Sequence, residues 1–205
     1  MRATCSRQLI VMARWPAPAR CKRRLAQELG AARAAQIQAR LTEHTLATAR
    51  NARQDHDLEL VLAIEGLASR AARRWGQLLG VDRTMLQGRG TLGLRMQRQI
   101  HRAARKGASQ IVLIGSDLPQ LEASDLSAAF TALERRHVVL GPALDGGYWL
   151  IGLRRPEPEL LAGIDWGSAL VLEQTLAAMA RRGLEPELLS RRGDLDLAID
   201  LQPWR

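Results

Sequence analysis

The sequence has few cysteines and no long apolar run. Its two cysteines, Cys5 and Cys21, form neither a disulfide framework nor a zinc-binding Cys-x-x-Cys spacing. The first apolar stretch, residues 9–13, is too short for the core of a signal peptide. No other segment approaches the roughly 20 apolar residues that span a bilayer. We therefore expect a cytoplasmic protein without a membrane span.

Lysine is also scarce, although the chain is strongly basic. Of its 30 basic residues only Lys22 and Lys106 are lysines, and 21 acidic residues leave a formal net charge of +9. The arginines are dispersed rather than clustered, which indicates compositional bias more than a nucleic-acid footprint. We expect no nucleic-acid partner, and a basic nucleic-acid-binding protein stays open as a lesser alternative.

Short apolar runs alternate with longer amphipathic segments along the chain. This order is typical of β-α-β units, so we expect one domain over residues 1–205, an α/β fold with a three-layer α/β/α sandwich and a mostly parallel sheet. The predicted strands are 8–13, 58–65, 84–87, 110–115, 137–142, 149–153 and 185–189. The predicted helices are 24–53 with a break at Gly30, 68–79, 92–106, 124–136 and 168–182.

The strongest acidic candidate follows the predicted strand at 110–115. Asp117 lies two residues before Pro119, which disfavours helical geometry at Leu118 and turns the loop away from the sheet. Ligands of open α/β sheets collect at the carboxyl ends of strands, and a carboxylate held there suits Mg²⁺ or Mn²⁺. A cap on the following turn is the alternative role for Asp117.

Basic residues are concentrated just after the first predicted strand. Arg20, Lys22, Arg23 and Arg24 lie before or within the opening turn of the next helix. Side-chain cations combined with free backbone N–H groups suit a pyrophosphate. A solvated basic helix start is the alternative.

A glycine-containing loop precedes the only tyrosine of the chain. Asp145, Gly146 and Gly147 lead into Tyr148, and paired glycines let a backbone approach a ligand closely. The Asp-Gly pair is also typical of an ordinary hairpin turn. Both interpretations stay open on spacing alone.

Carboxylates are concentrated again near the C-terminus. Asp194, Asp196 and Asp200 lie within seven residues of one another, and one of them could be the second protein ligand of a metal bound by Asp117. A solvated acidic tail is the alternative.

Two further motifs point to other enzyme classes. Gly88, Gly90 and Gly93 match the dinucleotide fingerprint Gly-x-Gly-x-x-Gly, but the preceding predicted strand is short and the motif lies mid-chain. A nicotinamide-binding domain therefore stays only as an alternative. Serine hydrolase chemistry is disfavoured because Ser116 lacks the flanking glycines of Gly-x-Ser-x-Gly.

Taken in order, these motifs resemble a bacterial family of small GT-A-like proteins, long labelled as a domain of unknown function and described as glycosyltransferase-like. The wider superfamily includes molybdenum-cofactor and phospholactate nucleotidyltransferases. The segments that carry the resemblance are 16–25, 87–96, 115–119, 145–148, 164–168 and 194–196. Ala19 departs from the pattern, since the family has a glycine there, and we expect this change to tighten the first loop.

The resemblance implies a GT-A, or nucleotide-diphospho-sugar transferase, fold and a role for each matching residue. Phosphate or nucleotide contacts are implied for Arg20, Lys22, Arg24, Gly88 and Gly93. Ligation of Mg²⁺ or Mn²⁺ is implied for Asp117 and Asp196. Sugar or acceptor contacts are implied for Asp145, Gly146, Gly147, Tyr148 and Trp166.

The expected function is metal-dependent transfer of a glycosyl group from a nucleotide sugar to a small-molecule acceptor. Asp117 and Asp145 are the candidate catalytic residues, with Asp145 as the general base because no histidine is suitably placed. The main alternative keeps the same site but transfers a nucleotidyl group from a nucleoside triphosphate and releases pyrophosphate.

Overall fold

A computed structural model of the chain describes residues 6–53 and 56–204, so Cys5 lies outside the described residues. The described strands are β1 (Arg7–Arg14), β2 (Leu58–Glu65), β3 (Arg83–Leu86), β4 (Gln110–Ile114), β5 (Val138–Pro142), β6 (Tyr148–Leu153) and β7 (Glu187–Leu188). The described α-helices are α1 (Arg23–Leu29), α2 (Ala31–Ala52), α3 (Ser69–Leu78), α4 (Leu92–Ala104), α5 (Ala123–Arg135) and α6 (Val171–Ala180). Two 3-10 helices cover Pro158–Leu161 and Ala198–Trp204.

The strands form one mostly parallel sheet in the order β3-β2-β1-β4-β6-β5-β7. Only β6 runs against its neighbours, because it pairs antiparallel with both β4 and β5. Helices lie on both faces, so the predicted three-layer α/β/α architecture is confirmed. Each predicted strand and helix is present, with bounds that differ by a few residues; β7 is shorter than predicted, and α6 begins at Val171 instead of 168.

Gly30 divides the long helical segment into α1 and α2, as the sequence predicted. Its φ of 83° lies in the left-handed region that glycine adopts without strain. Its N–H donates to the carbonyl of Ala26 and ends α1, while its own carbonyl accepts from Ala34 and begins α2. One residue therefore serves both helices.

The hydrophobic core lies on the two faces of the sheet. Alternate residues of β1 point to opposite faces: Leu9 and Val11 pack with α2, α3 and α5, whereas Ile10 packs with α4, α6 and the first 3-10 helix. This alternation follows from the two-residue period of a strand. The central strands are buried on both sides, which is typical of parallel sheets covered by helices.

The strand register brings several loops to one edge of the sheet. Arg14 of β1 is aligned with Glu65 of β2, and Ile114 at the end of β4 is aligned with Leu150 near the start of β6. The loops after β1, β2 and β4 therefore meet the loop that enters β6. The reversed direction of β6 is what adds this last loop to the edge.

Among the described residues, none of the helices combines the length and the apolar character that a bilayer crossing requires.

Close packing between β6 and β5 leaves no room for a side chain at position 152. A Cβ added at Gly152 would lie 2.4 Å from Cγ1 of Val139 and 3.1 Å from Cδ1 of Leu133. We expect Gly152→Ala to lower the free energy of unfolding by about 1–3 kcal/mol through overpacking, measured by urea denaturation.

Gly115→Ala is the matched control for this substitution. A Cβ added at Gly115 would meet no atom within 4 Å, and its backbone is outside the left-handed region. The control should change the free energy of unfolding by less than about 1 kcal/mol. Equal losses of unfolding free energy in the two variants would show that overpacking at Gly152 is not the cause of the destabilisation.

Candidate active site

Asp117 lies in the loop that follows β4, and hydrogen bonds to neighbouring segments fix this loop. The backbone carbonyl of Asp117 accepts a hydrogen bond from the N–H of Leu195 at 2.9 Å. The preceding Ser116 is buried, and its hydroxyl accepts from Nε2 of Gln38 on α2 at 3.1 Å. These contacts hold the loop from both sides, and the Asp117 side chain remains 42% exposed at the edge of the sheet.

Lys22 places a buried ammonium beside this carboxylate. Its side chain is only 3% exposed, and Nζ lies 3.1 Å from Oδ1 of Asp117 and 4.0 Å from Oδ1 of Asp196. Nζ also donates to the backbone carbonyl of Leu195. The lysine predicted to contact phosphate therefore holds the end of β4 and the C-terminal segment together.

The three C-terminal carboxylates occupy three different environments. Asp196 approaches Lys22, and its Oδ2 accepts from Nη1 of Arg24 at 3.1 Å. Oδ2 of Asp200 accepts from the N–H groups of Asp196 and Leu197 at 2.9 and 2.7 Å, so this side chain fixes the local turn. Asp194 faces a cavity on the other side of Asp117.

A basic cavity of about 530 Å³ lies on one side of Asp117. Its cationic lining residues are Arg14, Lys22, Arg23, Arg24 and Arg95, and the strand ends and loops beside them add Glu65, Gln87, Ser116, Asp117 and Asp196. Arginine forks of this kind match the geometry of phosphate oxygens. The basic cavity can therefore bind a polyphosphate.

An acidic cavity of about 300 Å³ lies on the other side of Asp117. Its carboxylates are Asp117, Asp145 and Asp194, and its aromatic walls are Tyr148, Trp149 and Trp166. The remaining lining is mostly apolar, including Met96 and Val171. Asp117 lines both cavities, so a ligand that occupies both must pass this carboxylate.

One carboxylate of the acidic cavity has a perturbed pKa. Burial raises the pKa of Asp194, the nearby charges of Asp145 and Asp117 raise it further, and a backbone hydrogen bond and the Lys22 ammonium oppose the shift. The Asp145 side chain is exposed, and its Oδ1 accepts from the N–H of Gly147 at 2.9 Å. Asp145 is therefore the more accessible of the two carboxylates.

The ring of Tyr148 lines the acidic cavity. The ring packs edge-on against Trp166, with centroids 6.2 Å apart and an interplanar angle of 79°. Burial raises the pKa of the Tyr148 hydroxyl above its ordinary value, and contact with Thr175 of α6 opposes that shift. The hydroxyl stays protonated at neutral pH, so Tyr148 contributes surface and no titrating group.

Three of the glycines predicted to contact ligand have structural roles, and none of them is among the described residues that line the basic or the acidic cavity. A Cβ at Gly146 would lie 2.1 Å from the carbonyl oxygen of Ala169, and a Cβ at Gly93 would lie 2.6 Å from Nε1 of Trp166. Gly88 has a φ of 80°. By contrast, Gly147 and Trp166 do line the acidic cavity.

Arg20 lies outside the basic cavity, in an adjoining pocket of about 340 Å³ that also contains Trp15 and Arg23. The preceding Ala19 has a φ of 62°, in the left-handed region. This conformation costs an alanine about 1–2 kcal/mol and a glycine much less. The strain explains why a glycine suits this position of the family pattern.

The basic cavity contains an ion-pair group that the sequence did not predict. Glu65, at the end of β2, lies 2.9 Å from Nη2 of Arg14 and 2.8 Å from Nη1 of Arg95. The three residues come from β1, β2 and α4, so only the sheet order brings them together. The available signal was the position of Arg14 and Glu65 at the ends of two predicted strands.

The donor set beside Lys22 fits a hard divalent cation that arrives with phosphates. Within the described part of the chain, no group of three or more His, Cys, Asp or Glu residues could hold an ion unaided. Mg²⁺, however, is commonly bound by one or two carboxylates together with substrate phosphates and water. Asp117 and Asp196 supply two such carboxylates, and Oδ1 of Asp117 accepts no well-aligned hydrogen bond from the described residues.

The chain matches a bacterial protein family. The family described as "Uncharacterized protein conserved in bacteria (DUF2064)" matches residues 45–168, more than half of the chain. No curated protein sequence matches the chain. The family match confirms the resemblance drawn from the sequence motifs.

Solved structures of transferases share the fold. A provisionally assigned nucleotide-diphospho-sugar transferase from Desulfovibrio desulfuricans G20 has 28% identity and a TM-score of 0.83, over 94% of this chain and 83% of that chain. The 4-diphosphocytidyl-2C-methyl-D-erythritol synthase of Anaerococcus prevotii has 11% identity and a TM-score of 0.63, over 97% and 96% of the two chains.

A third solved structure contains ligands. Glucosyl-3-phosphoglycerate synthase from Mycobacterium tuberculosis, in complex with Mn²⁺, UDP and phosphoglyceric acid, has 14% identity and a TM-score of 0.54. The match covers 97% of this chain and 74% of that chain. At these identities the second and third structures establish the fold alone, which is that of nucleotide-diphospho-sugar transferases.

The buried ammonium of Lys22 should contribute more stability than the exposed cation beside it. Lys22→Met removes the donor to Leu195 and leaves two carboxylates without their shared cation. We expect a loss of about 1–3 kcal/mol in the free energy of unfolding, measured by urea denaturation in metal-free buffer.

Arg24→Met is the control, because it removes a cation from the same Asp196 carboxylate. The Arg24 side chain is 72% exposed, so the loss should stay below about 1 kcal/mol. An equal or larger loss in the control would contradict the role assigned to Lys22.

Proposed function

Because this chain belongs to the bacterial family DUF2064 and has the fold of nucleotide-diphospho-sugar transferases, we propose that it is a metal-dependent glycosyltransferase. It moves a sugar from a nucleoside-diphosphate sugar to a small-molecule acceptor. The observation that carries this proposal is the position of Asp117 between a basic cavity and an acidic one. A nucleotide-sugar donor matches this arrangement, because its anionic diphosphate suits the basic cavity and its hydroxylated sugar suits the acidic one.

The basic cavity binds the diphosphate. Arg23, Arg24 and Arg95 present guanidinium groups to it, and these groups can bind phosphate oxygens through paired hydrogen bonds. Lys22 keeps the Asp117 and Asp196 carboxylates in place through its ionic contacts with both. The cations then stabilise the negative charge that grows on the leaving diphosphate, which is where such sites contribute most to the rate.

Asp117 and Asp196 would hold Mg²⁺ or Mn²⁺ at the boundary of the two cavities. Once bound, the ion would supply positive charge to the diphosphate oxygens. The two carboxylates are suited to this role because they are already oriented toward one cation, the Lys22 ammonium. Mn²⁺ accompanies UDP in the mycobacterial glucosyl-3-phosphoglycerate synthase, which supports the choice of metal.

The acidic cavity receives the sugar and the acceptor. Asp145 is exposed at this cavity and has one carboxylate oxygen fixed by the N–H of Gly147. A general base must reach the acceptor hydroxyl whose proton it removes, and Asp145 is the accessible carboxylate on that side. We assign it that role, while Tyr148, Gly147 and Trp166 form the wall against which the sugar packs.

Nucleotide binding should depend on the metal and on Asp117. In a screen of nucleoside diphosphates, nucleoside triphosphates and nucleotide sugars, one nucleotide class should raise the melting temperature of the wild type only with Mg²⁺ or Mn²⁺. Asp117→Ala should weaken that binding by at least about tenfold in calorimetry, because the metal loses a ligand. The control Glu185→Ala removes an exposed carboxylate that forms an ion pair with Arg136, away from both cavities, and should bind like the wild type.

Failure of every nucleotide to bind, with or without metal, would overturn the proposed function. The same preparation would then be tested with nucleic acid, because the net charge of +9 permits such a ligand. Nucleic-acid affinity that falls steeply with salt and is unchanged by Asp117→Ala would establish the binding-protein alternative.

The products distinguish the two transferase reactions. Release of a nucleoside diphosphate from a nucleotide sugar indicates glycosyl transfer, whereas release of pyrophosphate from a nucleoside triphosphate indicates nucleotidyl transfer. The fold shared with the Anaerococcus prevotii synthase keeps nucleotidyl transfer as the alternative.

Asp145→Asn tests the base assignment. The amide keeps the shape of the side chain and cannot accept the acceptor proton. We expect turnover to fall by roughly 10²–10⁴-fold while calorimetry shows unchanged nucleotide binding. Intact turnover would remove Asp145 from the mechanism, and a parallel loss of nucleotide affinity would indicate a binding role instead.

A further inference from the structure

We infer that the sugar carried by the nucleoside diphosphate is uncharged, and that the acidic cavity excludes sugars bearing a carboxylate or a phosphate. This inference rests on the proposed function, because it takes the basic cavity as the site of the diphosphate. It goes beyond that function by naming the class of group transferred.

The charge of the acidic cavity is unusual for this protein. The chain has 30 Lys and Arg residues, yet among the described residues that line the acidic cavity there is no Lys, Arg or His. Three carboxylates line it instead, from Asp117, Asp145 and Asp194. The adjoining basic cavity differs, because four arginines and Lys22 line it beside its three carboxylates.

The three carboxylates of the acidic cavity differ in whether a cation is paired with them. Lys22 offsets the charge of Asp117 from the basic side, with Nζ 3.1 Å from Oδ1. No described lysine or arginine forms an ion pair with Asp145 or Asp194 at the acidic cavity. A negative group placed in this cavity would therefore face Asp145 and Asp194 without a lysine or arginine paired to either of them among the described residues.

The carboxylates of the acidic cavity also favour hydroxyl donors. Carboxylate oxygens accept hydrogen bonds and cannot donate them when ionised. The nearby Ser168 hydroxyl is already engaged, since it donates to the carbonyl of Asp165 at 2.9 Å and accepts from the N–H of Leu170 at 3.2 Å. A neutral sugar supplies the O–H donors that these carboxylates need, whereas an acidic sugar adds further acceptors.

The aromatic walls complete the match to a neutral sugar. Trp166 and Tyr148 form a T-shaped pair at the cavity, and Trp149 lies beside them. Such rings offer apolar faces on which the C–H groups of a sugar can pack. Ligand sites commonly combine apolar walls with a small number of oriented polar groups, as this cavity does.

The test compares two nucleotide sugars that differ only in one charged group. UDP-glucose and UDP-glucuronate form such a pair, and the matched pair built on another base replaces them if that base binds better in the nucleotide screen. Calorimetry with Mg²⁺ gives the affinity of each compound relative to its nucleoside diphosphate alone. We expect the carboxylated sugar to bind at least about tenfold more weakly than the neutral one, because like charges would face each other.

Two substitutions of Asp145 make the test independent of sugar stereochemistry. Asp145→Asn removes one negative charge, so the discrimination against the carboxylated sugar should decrease. Asp145→Lys reverses the charge, so the discrimination should disappear or invert. Because the readout is binding, neither result depends on the base assignment, and thermal denaturation checks that each variant is folded.

Equal affinities for the two nucleotide sugars in the wild type would overturn the inference while leaving the proposed function intact. Unchanged discrimination in Asp145→Lys would likewise overturn it, because the cavity carboxylates would not be its cause. Absence of any nucleotide binding would refute the proposed function itself, and the inference with it. The three outcomes are therefore distinguishable.

Discussion

The buried ammonium of Lys22 is the interaction on which the candidate site depends. It joins the loop after β1, the end of β4 and the C-terminal segment through Asp117, Asp196 and the carbonyl of Leu195. A buried cation is stabilising only when its partners are close and well oriented. The same contacts that stabilise the ammonium therefore fix both carboxylates at the boundary between the two cavities.

The sheet topology explains why cavities of opposite charge lie side by side. The parallel strands β1, β2 and β4 bring their following loops to one edge. The end of β1, the loop after it and α1 supply four of the basic residues there, and α4 supplies Arg95. The antiparallel β6 begins at this edge, so the loop before it adds Asp145, and its first two residues add Tyr148 and Trp149. A sheet of wholly parallel strands would have carried that loop to the opposite edge.

The sequence was sufficient to predict the architecture, because strand and helix periodicities are local properties. Residue roles were predicted less completely, since they depend on tertiary partners. Asp117 and Asp196 both lie beside the Lys22 ammonium. Spacing alone could not show that Asp194 lines the acidic cavity while Asp200 accepts hydrogen bonds from its own turn. The glycine at 146 was attributed to ligand contact, whereas the structure shows a close approach of two backbone segments there. Glu65 was missed because its partners come from distant segments.

The contact between Lys22 and Leu195 joins residues 173 positions apart. Closing so long a loop is entropically costly, so contacts of this kind form after the local and strand-pairing contacts that precede them. The C-terminal segment is attached to the sheet edge by backbone hydrogen bonds, among them that from Leu195 to Asp117, and it buries Leu195 and Ala198 against α1 and α2. The cation site therefore exists only when this segment is in place, and a chain with an intact sheet but a displaced C-terminal segment would lack the site.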